Sequence, residues 1–89
     1  MNRSKEEIIA AILTATNEPV NRTLIMYKAR LSYTQMMVYT RYLEEKLLIH
    51  KTQTGLWIVT DIGRAYLDQY QALTRILESE PLVISQSMA

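Results

Sequence analysis

The chain has 89 residues, 48% hydrophobic and 21% charged, with a formal net charge of +1 and no cysteine; this is the balance of one globular domain and not of a disordered segment. A domain this short buries only about 60–65% of the surface its unfolded chain exposes, so its core is thin and self-association would help it. Disulfide frameworks and thiolate metal sites are excluded, and with neither a secretory apolar core in MNRSKEEIIAAIL nor an apolar run near the ~18 residues of a membrane span, the expectation is a soluble, cytoplasmic protein with no membrane partner.

Ser4 followed by Glu7 is a capping-box pattern that opens a first helix, predicted over residues 5–16. Ile8, Ile9, Ile12, Leu13 and Ala15 give it an apolar stripe, and Asn17-Glu18-Pro19 ends it, because proline cannot continue a helix. Asn21 caps a short second helix running to Ala29, with Leu24, Ile25 and Tyr27 as the residues it would bury.

Ser32, with Gln35 three residues on, is a second capping box and opens a third helix, predicted over 33–47. The second and third helices are therefore joined by a tight turn, a helix-turn-helix. Met36, Tyr39, Leu43 and Leu47 form the stripe expected to face the core, while Thr34, Met37, Val38, Arg41 and Glu45 fall on the opposite face.

LLIHK and LWIVT then read as two strands joined by Thr52-Gln53-Thr54-Gly55, a hairpin loop in which glycine supplies the unusual backbone angle. Trp57 is expected to pack over the core and His50, the only histidine, to lie on the strand surface. Thr60 caps a fourth helix that runs to Glu80, where Pro81 stops it; residues 81–89 carry no periodicity and are expected to be disordered. Gly63 costs about 1 kcal/mol against alanine inside a helix, which implies a closely packed neighbouring backbone, with the hairpin as the expected neighbour.

Helix, helix-turn-helix, hairpin, helix is the order of a winged helix-turn-helix: mainly α with a small β-hairpin, α-α-α-β-β-α, here with an extended, coiled-coil-like C-terminal helix. EIIAAIL in helix one, RTLIMYKARLSY across the turn, YLEEKLLI at the end of helix three and LWIVTDIGRAYL after the hairpin carry a resemblance over residues 5–78. The chain resembles the small archaeal winged-helix DNA-binding proteins that dimerise through a long C-terminal helix. That resemblance implies a DNA-binding homodimer, a transcriptional regulator or a nucleoid-associated architectural protein. Residues 1–60 would be its DNA-binding domain and 61–80 its dimerisation helix, continuous with that domain.

The charge is unevenly placed. Residues 20–51 hold Arg22, Lys28, Arg30, Arg41, Lys46 and Lys51 against only Glu44 and Glu45, a local basic footprint between acidic ends. On the outer face of helix three, Gln35 can pair with adenine, Arg41 with guanine or phosphate, Thr34 with either, and Val38 with a thymine methyl. The alternative is an ordinary solvated face. Arg22, Lys28, Arg30 and Lys51 are phosphate candidates, and Thr23 lies beside Arg22 at the start of helix two. Ser32 is first a cap, compatible with a phosphate contact from the helix N-terminus. Tyr33 suits packing and phosphate contact equally. Thr52, Gln53 and Thr54 at the hairpin tip would touch a sugar-phosphate edge or the minor groove, contributing little because the tip is nearly neutral.

In helix four, Tyr66, Tyr70, Leu73 and Leu77, widened by Leu67 and Ile76, form a short coiled-coil seam, so Tyr66, Tyr70, Leu73, Ile76 and Leu77 are the candidate dimer interface. Ile62, Leu67 and Tyr66 would anchor the first turns to the domain while the rest protrudes. A winged helix that binds protein instead of DNA is the competing reading, motivated by the near-neutral net charge and by exposed Met37 and Val38. An enzyme is disfavoured: there is no nucleophile-base pair, metal cluster or phosphate-cradling loop, and no cofactor or small-molecule ligand is indicated. The pairs Glu6-Glu7 and Glu44-Glu45 suit a helix start and a solvated face.

Overall fold

The computed structural model describes residues 3–79, so the expectations for Pro81 and for residues 81–89 lie outside the described residues. Its elements run α1 (Lys5–Ala15), α2 (Arg22–Ala29), α3 (Tyr33–Glu45), β1 (Ile49–Lys51), β2 (Trp57–Val59) and α4 (Asp61–Ser79), the order expected of a winged helix. Each helix begins where a side chain answers an orphan backbone N–H. Ser4 Oγ accepts from Glu7 N at 3.0 Å while Glu7 Oε1 accepts from Ser4 N at 2.7 Å. Asn21 Oδ1 accepts from Leu24 N at 2.8 Å, and Thr60 Oγ1 from Gly63 N at 3.0 Å. Such caps contribute about 1 kcal/mol each.

The core is assembled from every element. Ile8, Ile9, Ile12 and Leu13 of α1 meet Ile25 and Ala29 of α2, Met36 and Leu43 of α3, and Ile49, Trp57 and Val59 of the hairpin. Full burial of each large aliphatic side chain contributes about 1.5–3 kcal/mol. Ile25 and Ala29, one turn apart, are the face that α2 turns inward, so Leu24 and Tyr27 lie exposed, contrary to expectation. The chain then turns sharply through Arg30 (φ 56°), which brings Leu31 back into the core.

Helix α3 ends two residues before the predicted limit. Leu47 adopts a left-handed conformation (φ 63°), its N–H bonding to Glu44 O at 3.0 Å and that of Leu48 to Leu43 O at 2.9 Å. This is a Schellman turn with leucine in the place glycine usually takes. Leu47 is consequently 63% exposed, and the buried line of α3 is Met36, Thr40 and Leu43, with Tyr39 half-buried beside it. Thr40 is tolerated in the core because its hydroxyl donates to Met36 O at 2.8 Å.

β1 and β2 pair antiparallel, Ile49 opposite Val59 and Lys51 opposite Trp57. Val20, between α1 and α2, adds a single-residue third rung: Val20 N donates to Trp57 O at 3.0 Å and Trp57 N to Val20 O at 2.7 Å. Buried Thr16 extends this tie, its carbonyl accepting from Val59 N at 2.9 Å. The start of α4 is bolted to the end of α3, since Thr60 N donates to Leu48 O at 3.0 Å and Thr60 Oγ1 to Leu47 O at 2.6 Å. A Cβ on Gly63 would fall against the Leu48 carbonyl and 2.6 Å from Val59 Cγ2, so the close neighbour includes the backbone just ahead of the hairpin as well as the hairpin itself.

Tyr66 and Leu67 of α4 pack on the core, and Arg64 Nη1 donates to Asn17 Oδ1 at 2.7 Å. Ile62, expected to help anchor this end, is instead exposed. None of the described helices is long and apolar enough to cross a membrane.

Candidate nucleic-acid interface

Because Met36, Thr40 and Leu43 bury one side of α3, the opposite side is presented outward. Thr34, Val38 and Arg41 are all exposed there, Val38 by 61%. With Tyr33 and Met37 they line a shallow groove of about 220 Å³. Met37 is only half-buried, packing against the core from the groove floor, where the sequence suggested full exposure.

The start of α3 is committed to its own cap. Ser32 Oγ accepts from Gln35 N at 3.1 Å, and Gln35 Oε1 accepts from Ser32 N at 3.1 Å. Bidentate pairing with adenine needs both the oxygen and the amide nitrogen of a Gln carboxamide. In the closed box one lone pair of Gln35 Oε1 is taken by the Ser32 N–H, while the NH₂ group and the second lone pair of the oxygen face outward on an exposed residue.

Trp57 organises the cations. Its ring is buried, yet the Arg22 guanidinium lies 5.7 Å and the Lys51 ammonium 5.9 Å from its centroid. Such cation–π contacts are worth about 0.5–1 kcal/mol at exposed sites and hold long side chains in place. Arg22 and Arg41, with Met37, Thr40, Glu44 and Trp57, also line one polar notch. Residues far apart in the chain thus converge: the first residue of α2, the middle of α3 and the last of β1. Only the individual cations were readable from the sequence, since nothing in local spacing links residue 57 to residues 22 and 51.

The other predicted cations sit elsewhere. Thr23, Lys28 and Arg30 border a separate open hollow of about 660 Å³ with Met26, Tyr27 and Leu31. At the hairpin tip Gly55 (φ 84°) makes the turn. Thr52 is half-buried, its hydroxyl accepting from Leu56 N at 3.1 Å and lying 3.0 Å from Thr54 Oγ1. Gln53 and Thr54 are exposed, so the tip offers one free carboxamide and little charge.

The five candidate interface residues of α4 divide into two groups. Tyr66 and Tyr70 are half-buried and stacked, ring centroids 6.5 Å apart. Beside them Lys5 lies 4.4 Å over the Tyr42 ring. Burial pushes the Tyr66 phenol above its ordinary range, reinforced by Glu6, Tyr70 and Tyr42 and opposed by Lys5. Leu73, Ile76 and Leu77 are 63%, 62% and 79% exposed. Among the described residues, no three His, Asp or Glu side chains are grouped so as to hold a metal ion.

Two solved structures share this fold. A DNA-binding protein of Sulfolobus solfataricus, Sso10a-2, superposes with a TM-score of 0.76 at 19% identity, over 97% of this chain and 92% of that one. A MarR-family transcriptional regulator from Rhodococcus sp. RHA1 superposes with a TM-score of 0.63 at 22% identity, over 98% of this chain and 70% of that one. No curated protein matches the sequence. The sequence profile described as winged helix-turn-helix matches residues 2–78, nearly the whole described chain, in accord with the element order and the packing of α3. The chain belongs to the winged helix-turn-helix family.

Proposed function

We propose that this protein binds duplex DNA as a homodimer, α3 entering the major groove and the Arg22, Arg41 and Lys51 side chains meeting phosphates on either side. The observation that carries this reading is the exposed line Thr34, Val38, Arg41 beside cations brought together around Trp57. The likeness to proteins described as a DNA-binding protein and a transcriptional regulator supports it. Residues 1–60 form the DNA-binding unit in this reading, and α4 pairs with a second copy through Leu73, Ile76 and Leu77. A 19-residue helix is about 28 Å long, comparable to the ~34 Å between successive major grooves on one side of a duplex. Two copies of α3 then address one molecule of DNA, in a transcriptional regulator or an architectural protein of the cytoplasmic nucleoid.

The test is a titration of a duplex at several salt concentrations. Binding is expected to weaken steeply with salt, and Arg41→Ala to lower the logarithmic slope by about 0.9, the release associated with one phosphate contact. Absence of binding at low salt, where nonspecific attraction alone would register, rejects the proposal and favours a protein partner for the α3 face.

A further inference from the structure

The outward side of α3 carries few groups able to form hydrogen bonds. Ser32 Oγ and Gln35 Oε1 are held in the cap, and the Thr40 hydroxyl is buried against Met36 O. At the N-terminal end of the exposed line stand Thr34, the Gln35 NH₂ group and the Tyr33 hydroxyl, and at the other end Arg41, which shares its notch with Glu44. At the midpoint stands Val38, 61% exposed. A β-branched residue within a helix is less favourable than alanine because its χ1 is restricted against the preceding turn, and at this exposure little burial within the domain offsets that. In the major groove the base edges present donors, acceptors and one apolar group, the C5-methyl of thymine.

We propose that α3 selects its DNA through thymine methyl groups, with Val38 as the specificity-determining side chain and Thr34 and Met37 completing the apolar contact. This rests on the DNA-binding reading above. A polyanion is the occupant favoured by Arg22, Arg41 and Lys51 around the same face. Burying one methyl against Val38 corresponds to about a four-fold gain in affinity.

The experiment compares a short A·T-rich duplex with the same duplex containing deoxyuridine for every thymidine, at one salt concentration, by fluorescence anisotropy. The deoxyuridine duplex is expected to bind several-fold more weakly, about four-fold for each methyl contacted. Val38→Ala, which keeps the helix because alanine is the better helix former, is expected to reduce the ratio by about four-fold, the gain from the methyl that Val38 covers. Equal affinity of the native protein for both duplexes overturns the thymine reading alone. A ratio undiminished in the V38A protein also overturns it, by showing that Val38 is not the side chain that reads the methyls. Failure to bind either duplex at low salt overturns this inference together with the reading beneath it.

Discussion

Gly63 shows how one absent methyl group joins two parts of the molecule. Its Cα faces the Leu48 carbonyl, which is fixed by the Thr60 N–H and which no rotamer change relieves, and the β-branched Val59 side chain, whose χ1 is restricted. Alanine would gain about 1 kcal/mol in helix propensity, yet overpacking against a fixed backbone costs about 3 kcal/mol. Gly63→Ala is therefore expected to lower stability by about 2 kcal/mol net, seen as a lower denaturant midpoint at unchanged slope. Tyr66 supplies a second check at the same level. Its phenol titrates above 10.0 in the folded chain, chiefly through burial, so the native state keeps the proton where the unfolded state has lost it. The associated stability is intact below pH 10 and declines as pH rises through the raised value. The melting temperature of Tyr66→Phe relative to the native protein is expected to be constant up to about pH 10 and to rise above it; a difference independent of pH would exclude this linkage.

Among the helices and strands, what could be read directly from the sequence was what is local. Ser4 with Glu7, Asn21, Ser32 with Gln35, and Thr60 act on groups three residues away, and each caps the helix expected of it. Features that depend on distant partners were less legible. Leu47 continues the apolar spacing of α3, but the helix closes at Glu45 so that Leu48 can receive Thr60 and the chain can enter β1. Val20 pairs through one residue, too short to leave a periodic trace. Gln35 satisfies two patterns at once, a cap and a base contact, and the cap takes one lone pair of its oxygen. In α4 the 4-3-4 spacing contains both a half-buried stacked pair, Tyr66 and Tyr70, of which Tyr66 packs on the core, and a projecting pair, Leu73 and Leu77. A doubly charged variant, Leu73→Asp with Leu77→Asp, is expected to leave the melting of the monomer unit unchanged and to shift sedimentation equilibrium to monomer. If the native protein and this variant sediment alike, the proposed pairing through Leu73 and Leu77 is rejected.

Taken together, the molecule keeps its thin core by using each helix once inward and frees one side of α3 for use outside the domain. Trp57 ties this division together, since its ring closes the core while Arg22 and Lys51 lie over it at the surface. A duplex seated on that surface would perturb a defined set of backbone amides. Chemical-shift mapping with a duplex at low salt is expected to move Thr34, Val38, Arg41, Arg22 and Lys51, leaving Tyr27 and Lys28 on the outer side of α2 nearly unchanged. Shifts concentrated at Tyr27, Lys28 and Arg30, with α3 silent, would contradict the proposal that α3 is the DNA-facing helix.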